Sequence, residues 1–515
     1  MNPALAQSCL RAALTAPVYD VAERTPLQDA PQLSARLGAK VMLKREDLQP
    51  IFSFKLRGAY ALMASLPVAD IATGVVAASA GNHAQGVALA ARQLGVPATI
   101  VMPRTTPRIK VEAVERLGAD IQLVGDSYDV SCVHAKAFAT DTGKVFIHPF
   151  DDDTVIAGQG TVGVEIVQQL RAPPRAIFVP VGGGGLAAGL AACVKALCPE
   201  TEIIGVEPED AACLAAALRE GRPTTLPHVG IFADGTAVRE IGKRTFDYCR
   251  EFVDRVITVD TDQICAAIRD IFVETRAVVE PSGALAVAGV EALAGEFAPE
   301  DVLVAINSGA NINFDRLAHV VERAELGAGR EALLAATIPE RPGAFLDFIR
   351  RLGYHAITEF NYRYAAQNGA QVFVGMRIAG TPDETDRVID RLDDAGYAVQ
   401  DLSHNELAKL HVRHMVGGRP PQPTREALYR FEFPERPGAL LDFLTVLAGR
   451  WNISLFHYRN HGSAYGRVLA GFMVPEEEDA DFASFLDATG YHWTCESENP
   501  AYQAFLAAAE TPATA

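Results

Sequence analysis

Lys55 stands in the run Ile51-Phe-Ser-Phe-Lys-Leu-Arg-Gly58, between Phe52, Phe54 and Leu56. Lysine is among the least buried residue types, so an apolar setting is informative. Losing water around the ammonium lowers its pKa and leaves an amine able to act as nucleophile and base. The alternative is a stem lying on apolar surface with its ammonium in water, and the octapeptide by itself favours that. Three other stretches change the balance. Gly182-Gly-Gly-Gly185 offers backbone N–H groups that can converge at the start of a helix, where an anion is stabilised. Ser79-Ala-Gly-Asn-His83 offers further donors suited to a carboxylate, with the Asn82 amide among them. Ser308, in Asn307-Ser-Gly-Ala-Asn311, supplies a hydroxyl.

The elements that must position these groups follow from patterning. Gly74–Ala78, Ala98–Met102, Ala176–Val181, Glu202–Glu207 and Val302–Ile306 are short and almost wholly apolar, as strands covered on both faces are. Ala-rich helical stretches alternate with them, which predicts an α/β fold built on parallel twisted sheets. Ligands in such folds sit beyond the carboxyl ends of strands. The glycine run, the Asn82 loop and Ser308 each follow a predicted strand directly. The glycine spacing matches neither the dinucleotide fingerprint nor a P-loop. A desolvated amine, a phosphate cradle, a carboxylate loop and a hydroxyl describe a site for pyridoxal 5'-phosphate, which needs a Schiff-base lysine and a phosphate anchor.

The 515 residues exceed one ordinary domain, and 49% hydrophobic with 21% charged residues describes a globular chain. A formal charge of -18 argues against nucleic acid as partner. No apolar run is long enough to span a bilayer, and the N-terminus does not read as a secretory signal. The eight cysteines are dispersed, without a Cys-x-x-Cys pair, which suits reduced thiols and a cytoplasmic location. No metal is expected. Asp151-Asp-Asp153 reads as a solvated turn, and His411 with His414 as surface groups lacking further ligands.

Beyond residue 330 the chain repeats itself. Glu340-Arg-Pro-Gly-Ala344 returns as Glu435-Arg-Pro-Gly-Ala439, Asn361-Tyr-Arg363 as His457-Tyr-Arg459, and Gly396-Tyr397 as Gly490-Tyr491. Each unit reads strand, helix, two strands, helix, strand, the order of a ferredoxin-like α+β fold. The Gly- and Pro-rich Gly417–Pro423 would join them.

Ser53-Phe-Lys-Leu-Arg-Gly-Ala59, Ser79–Gly86, Gly182–Gly189 and Glu280-Pro-Ser-Gly283 resemble, in order and spacing, the motifs of the pyridoxal-phosphate serine and threonine dehydratases. The resemblance implies a fold type II catalytic domain, similar to the tryptophan synthase β chain. It implies that Lys55 forms the Schiff base and Asn82 bonds the cofactor's 3'-oxygen. Gly182, Gly183, Gly184, Gly185 and the Leu186 backbone would hold the phosphate, and Ser308 would meet the pyridine nitrogen. Ser79, Ala80, Gly81, Asn82 and His83 would receive the substrate carboxylate. A serine at the ring nitrogen stabilises its cation poorly, which favours β-elimination over transamination. Glu280 is a candidate for orienting the site.

The repeated units resemble ACT-type regulatory domains, which bind amino acids. Behind a dehydratase domain they imply the biosynthetic threonine deaminases, acting on L-threonine, with L-serine the alternative substrate that the sequence does not rank against it. Isoleucine would inhibit, valine oppose it, and the assembly be a homotetramer. Effector contacts are expected at the Pro342-Gly343 and Pro437-Gly438 turns, with Asn361 and Asn452 nearby. The expected organisation is a two-part catalytic domain over 1–320, a linker over 321–330 and a regulatory domain over 331–412. A second linker over 413–426, a second regulatory domain over 427–503 and a tail over 504–515 complete it. Two other readings are a β-replacement enzyme or serine racemase, neither of which predicts the duplicated units, and a non-catalytic amino-acid sensor. Retention of both Lys55 and the glycine run weighs against a sensor.

Overall fold

The computed structural model describes residues 2–338, 348, 351–352, 355, 357–363, 370–379, 383–414, 426–434, 452–459 and 465–506. The chain divides into two compact units, Met1–Val320 and Val321–Ala515. No helix among the described residues is long and apolar enough to cross a membrane.

The first unit holds ten strands: β1 (Leu27–Asp29), β2 (Lys40–Arg45), β3 (Val75–Ala78), β4 (Ala98–Met102), β5 (Asp120–Leu123), β6 (Val145–Phe146), β7 (Ala176–Pro180), β8 (Glu202–Pro208), β9 (Arg255–Val259) and β10 (Val302–Asn307). They form a six-stranded sheet in the order β1-β2-β10-β7-β8-β9 and a four-stranded sheet in the order β5-β4-β3-β6. Only β1 runs antiparallel to its neighbour. The apolar runs named from sequence are all strands, buried on both faces. β2 escaped that reading because Lys40, Lys44 and Arg45 interrupt it, yet Val41, Leu43 and Lys44 are fully buried.

The order of strands assembles the site. β2, β10 and β7 are adjacent and parallel, so their carboxyl ends open on one side. The chain continues from β7 to β8 on one flank, while β10 pairs with β2 on the other. That divergence is the switch point where an open α/β sheet leaves a crevice.

Buried charge fixes the helix Lys55–Ser65 behind this crevice. Arg57 donates to Glu46 at 2.8 Å and to Glu165 at 2.7 Å, and Lys44 reaches Glu165 at 2.5 Å, all four side chains being excluded from solvent. Thr25 donates to Glu46 at 2.6 Å. Removing one partner from such a cluster leaves an uncompensated charge, a cost of roughly 3–5 kcal/mol. β2, the Lys55 helix and the helix Asp153–Gln169 are thereby tied together.

In the second unit, the helix Arg316–Gly327 carries the chain out of the first, so the segment expected as a linker is largely helical. Among the described residues, two four-stranded antiparallel sheets follow. One contains β11 (Glu331–Ile338), β12 (Ile357–Arg363), β13 (Ala370–Arg377) and β14 (Ala398–Asp401). The other contains β15 (Glu426–Pro434), β16 (Asn452–Arg459), β17 (Tyr465–Met473) and β18 (His492–Cys495). Their orders, β12-β13-β11-β14 and β16-β17-β15-β18, are the same. Both are ferredoxin-like, and both break register at one place, Ile357/Glu359 and Ile453/Leu455. Leu333, Ala335 and Phe373 of one repeat share a core with Leu428 and Leu469 of the other. Asn405 and Asn499, which cap equivalent helices, hydrogen-bond each other at 3.1 Å. The linker 417–423 lies outside the described residues, and the second repeat's closing helix, Pro500–Phe505, extends past residue 503.

Two expectations change. His411 is buried, held there by packing of the helix Glu406–Leu410, so only His414 is a surface group. The Asp151–Asp153 run is more than a solvated turn. Asp152 caps the helix Asp153–Gln169, and Asp151 accepts the N–H groups of Arg244 and Thr245 at the start of the helix Lys243–Phe252.

Candidate active site

Lys55 occupies the first position of its helix, against the Phe54 ring with its Nζ 5.0 Å from the centroid. Phe54 and Leu56 are buried as the sequence suggests, but Phe52 is 55% exposed. Phe52 instead contributes backbone shape, with φ of 58°, a conformation bulky side chains rarely adopt. That turn lets the segment before Lys55 pair with the segment after β10. Phe54 N–H donates to the Ser308 carbonyl at 3.2 Å, and Ala310 N–H to the Phe52 carbonyl at 2.8 Å. Lys55 and Ser308 are thus clamped side by side. Desolvation pushes the Lys55 pKa down to about 8, partly offset by the nearby Glu280. A neutral amine attacks carbonyls, so capture of pyridoxal phosphate by the apoprotein should speed up as pH rises and level off above about 8. A stopped-flow absorbance series would show this; a rate still climbing toward the ordinary lysine pKa of about 10.4 would contradict it.

The helix Asn82–Leu94 brings in the loop after β3. A Cβ on Gly86 would lie 3.2 Å from the Lys55 carbonyl, so the two helices meet backbone to backbone. Asn82 donates to Glu280 at 2.5 Å and accepts from Asn311 at 2.6 Å, which fixes the direction of its amide. Glu280 is buried, and burial, reinforced by the charge of Asp234, pushes its pKa up to about 7. Gly81, not Ser79, precedes the helix, and Ser79 accepts the Gly81 N–H at 3.2 Å. Ser79, Ala80 and Gly81 are partly exposed, and a Cβ on Gly81 would meet open space. His83 faces away, its Nε2 3.0 Å from the Ile147 carbonyl, and burial pushes its pKa down to about 3. A ring held neutral in this way is a strut, not a proton donor at neutral pH.

The glycine run turns between β7 and the helix Gly185–Leu197, with φ of 88° at Gly184. Its carbonyls are occupied: Cys213 lies 3.2 Å from the Gly182 oxygen, and Thr245 donates to the Gly183 oxygen at 2.7 Å. The N–H groups of Gly182, Gly183 and Gly184 have no acceptor among the described residues. A Cβ at Gly183 would fall within the Phe150 ring, and one at Gly182 would lie 2.8 Å from Thr236 Cα. Buried donors without acceptors, at a helix start that admits no side chain, fit a phosphate. Ser308 donates to the Ser282 carbonyl at 3.2 Å, and no carboxylate takes its place after β10. The set fits a phosphate-bearing aldehyde.

Lys55, Asn82, Gly182 to Gly185, Leu186 and Ser308 come together in the first unit. Asn361 lies on β12 and Asn452 on β16, while Gly343 and Gly438 lie outside the described residues. Asn311, Asp234 and Phe150 were not legible in advance. Asn311 had the one available signal, its place three residues after Ser308.

Fold and site define the class, a pyridoxal-phosphate-dependent enzyme. A family model described as pyridoxal-phosphate dependent enzyme matches residues 18–309. A second, the C-terminal regulatory domain of threonine dehydratase, matches twice, over 322–412 and 417–506. The biosynthetic L-threonine dehydratase of Burkholderia multivorans is 53% identical over 501 residues, covering 96% of this chain and 99% of that protein. The corresponding Escherichia coli protein is 53% identical over 499 residues, 97% of each chain. Among solved structures, the processed form of threonine deaminase isoform 2 from Solanum lycopersicum has a TM-score of 0.61 at 47% identity, covering 63% of this chain and 94% of that one. Maize serine racemase has a TM-score of 0.57 at 34% identity, covering 61% and 96%. The chain belongs to the biosynthetic threonine dehydratase family, with its two C-terminal regulatory domains.

Proposed function

We propose that this protein converts L-threonine to 2-oxobutanoate and ammonia, the water lost with the β-hydroxyl being taken up again when the enamine product hydrolyses; this is the entry step of isoleucine synthesis, and L-serine is the second substrate. The observation that supports the reading is Lys55, a lysine with a lowered pKa whose neighbour Phe54 is bonded to Ser308 and which feels the charge of Glu280, the residue that Asn82 bonds. Pyridoxal phosphate, when bound, supplies the electron sink that makes the substrate Cα proton removable. Lys55 would hold the cofactor through its Nζ and, as a free amine, would take the substrate Cα proton on that atom. Gly182 to Gly185 and the Leu186 backbone hold the phosphate through N–H groups. Asn82 aims its amide at the 3'-oxygen, steadied by Glu280 and Asn311. Ser79, Ala80 and Gly81 receive the substrate carboxylate, with His83 supporting their loop. Ser308 offers the ring nitrogen an uncharged partner, which directs the chemistry toward loss of the β-hydroxyl.

The C-terminal repeats bind amino-acid effectors: isoleucine as inhibitor and valine as its antagonist, in a cytoplasmic homotetramer. Asn361 and Asn452, in corresponding second strands, and Gly343 and Gly438 are the positions assigned to effector contact. The test is threonine-dependent 2-oxobutanoate formation with and without isoleucine, alongside the mass of the assembly. Isoleucine should suppress the rate and valine restore it. No 2-oxobutanoate would sink the activity; a rate indifferent to isoleucine would sink the regulation.

A further inference from the structure

The loop 230–236 forms a wall of the crevice. Thr236 sits against Gly182, its hydroxyl is 3.2 Å from that of Ser282, and Gly235 approaches Ser282 so closely that a Cβ would lie 2.9 Å from its Oγ. Asp234, within this loop, is held from two directions. Lys110 reaches its Oδ2 at 2.6 Å from the helix Arg108–Glu115, whose Val114 packs in the core of the four-stranded sheet. Arg316 lies 3.4 Å from its Oδ1 and also donates to the carbonyls of Phe232 at 2.9 Å and Ile231 at 3.2 Å. Arg316 is buried and begins the helix Arg316–Gly327 that leads out of the catalytic unit. Lys110 and Asp234 are 124 residues apart, on different halves of that unit.

We propose that Lys110, Asp234 and Arg316 form a latch that closes the four-stranded half onto the crevice wall and so sets how firmly substrate is captured. The three are positioning residues, acting through the wall loop. Arg316 fixes the loop's backbone, Asp234 presents its carboxylate from that backbone, and Lys110 draws the other half onto it. A charge pair between moving halves stabilises the closed form, and substrate bound in the crevice benefits in proportion. The side chains of Lys110 and Asp234 are 14% and 31% exposed, so salt can reach and weaken the pair. Because Arg316 opens the outgoing helix, a shift of that helix would alter the latch directly. The proposal rests on threonine being the substrate.

The experiment compares wild type with Lys110→Met, Asp234→Asn, the double variant and Arg316→Lys, all as full-length holoenzyme. Lys110→Met and Asp234→Asn should each raise KM for threonine by about tenfold, the scale of one partly buried charge pair, with kcat changed far less. The double variant should be no worse than Asp234→Asn alone, because Lys110 has already lost its partner in that variant. Wild-type KM should climb with added salt while that of Lys110→Met stays flat. Arg316→Lys keeps the charge but loses the fork on two carbonyls, so its KM should fall between. Hydrogen exchange over residues 229–237 should quicken in Lys110→Met with the thermal midpoint retained. Additive effects, a loss confined to kcat, or unchanged exchange would overturn the latch. Should wild type form no 2-oxobutanoate, the substrate reading fails, and the exchange comparison still judges the latch.

Discussion

Replacing Lys55 with alanine should lower threonine turnover by on the order of 10⁴-fold or more and abolish the lysine-bound chromophore of the cofactor. The size of the loss follows from the surroundings. A substitute would have to be another uncommitted amine in the crevice, and the neighbouring lysines are committed. Lys44 is excluded from solvent and bound to Glu165 at 2.5 Å, and Lys110 is paired with Asp234 at 2.6 Å. The fold should tolerate the change, because the side chain of Lys55 lies against the Phe54 ring and the ion cluster behind it runs through Arg57. The thermal midpoint of the apoprotein should move little. Small primary amines added to the variant should restore a fraction of the rate, since they replace the missing base. Normal turnover without Lys55 would remove the basis of the proposed mechanism.

Gly183→Ala is expected to have the next largest effect, and on cofactor binding in particular. The added methyl would overlap the Phe150 ring, whose near atoms are too close to the backbone to swing aside. Gly185 is hemmed in by the same residue, with a Cβ there 3.0 Å from Phe150 Cβ, so the loop cannot yield in that direction either. Overpacking of this kind costs about 1–3 kcal/mol. Here the displaced atoms are the N–H donors themselves, so the strain appears as weaker cofactor affinity, by roughly ten- to a hundredfold at about 1.4 kcal/mol per decade. Titrating apoprotein with pyridoxal phosphate would measure it. Gly183→Ala with Phe150→Ala should regain most of the affinity, because the second change empties the space the methyl needs. An unaltered affinity in the single variant would mean that the glycine run is not the phosphate cradle.

Much of the site was legible because its parts are contiguous in the chain. A lysine between aromatic residues, four glycines after an apolar run and an asparagine loop after another are local patterns, and each lies within ten residues of a strand end. The repeat was legible for the same reason, since Glu340-Arg-Pro-Gly-Ala344 recurs as an unbroken block beginning at Glu435. β2 was obscured by its charges, whose burial depends on Glu165 and Glu46 arriving from elsewhere.

The α/β class, the placing of Lys55 and the glycine run near strand ends, and the duplication could be read along the chain, because strand patterning, helix starts and motif order are properties of neighbours in sequence. Only the tertiary structure decided what surrounds them. Asn82 meets Glu280 across 198 residues and Asn311 across 229, contacts that no local periodicity encodes. They arise from a sheet order that sets β2, β10 and β7 side by side, and from the burial that follows. That burial pushes Lys55 down to about 8 and Glu280 up to about 7, because removing water penalises whichever form carries charge.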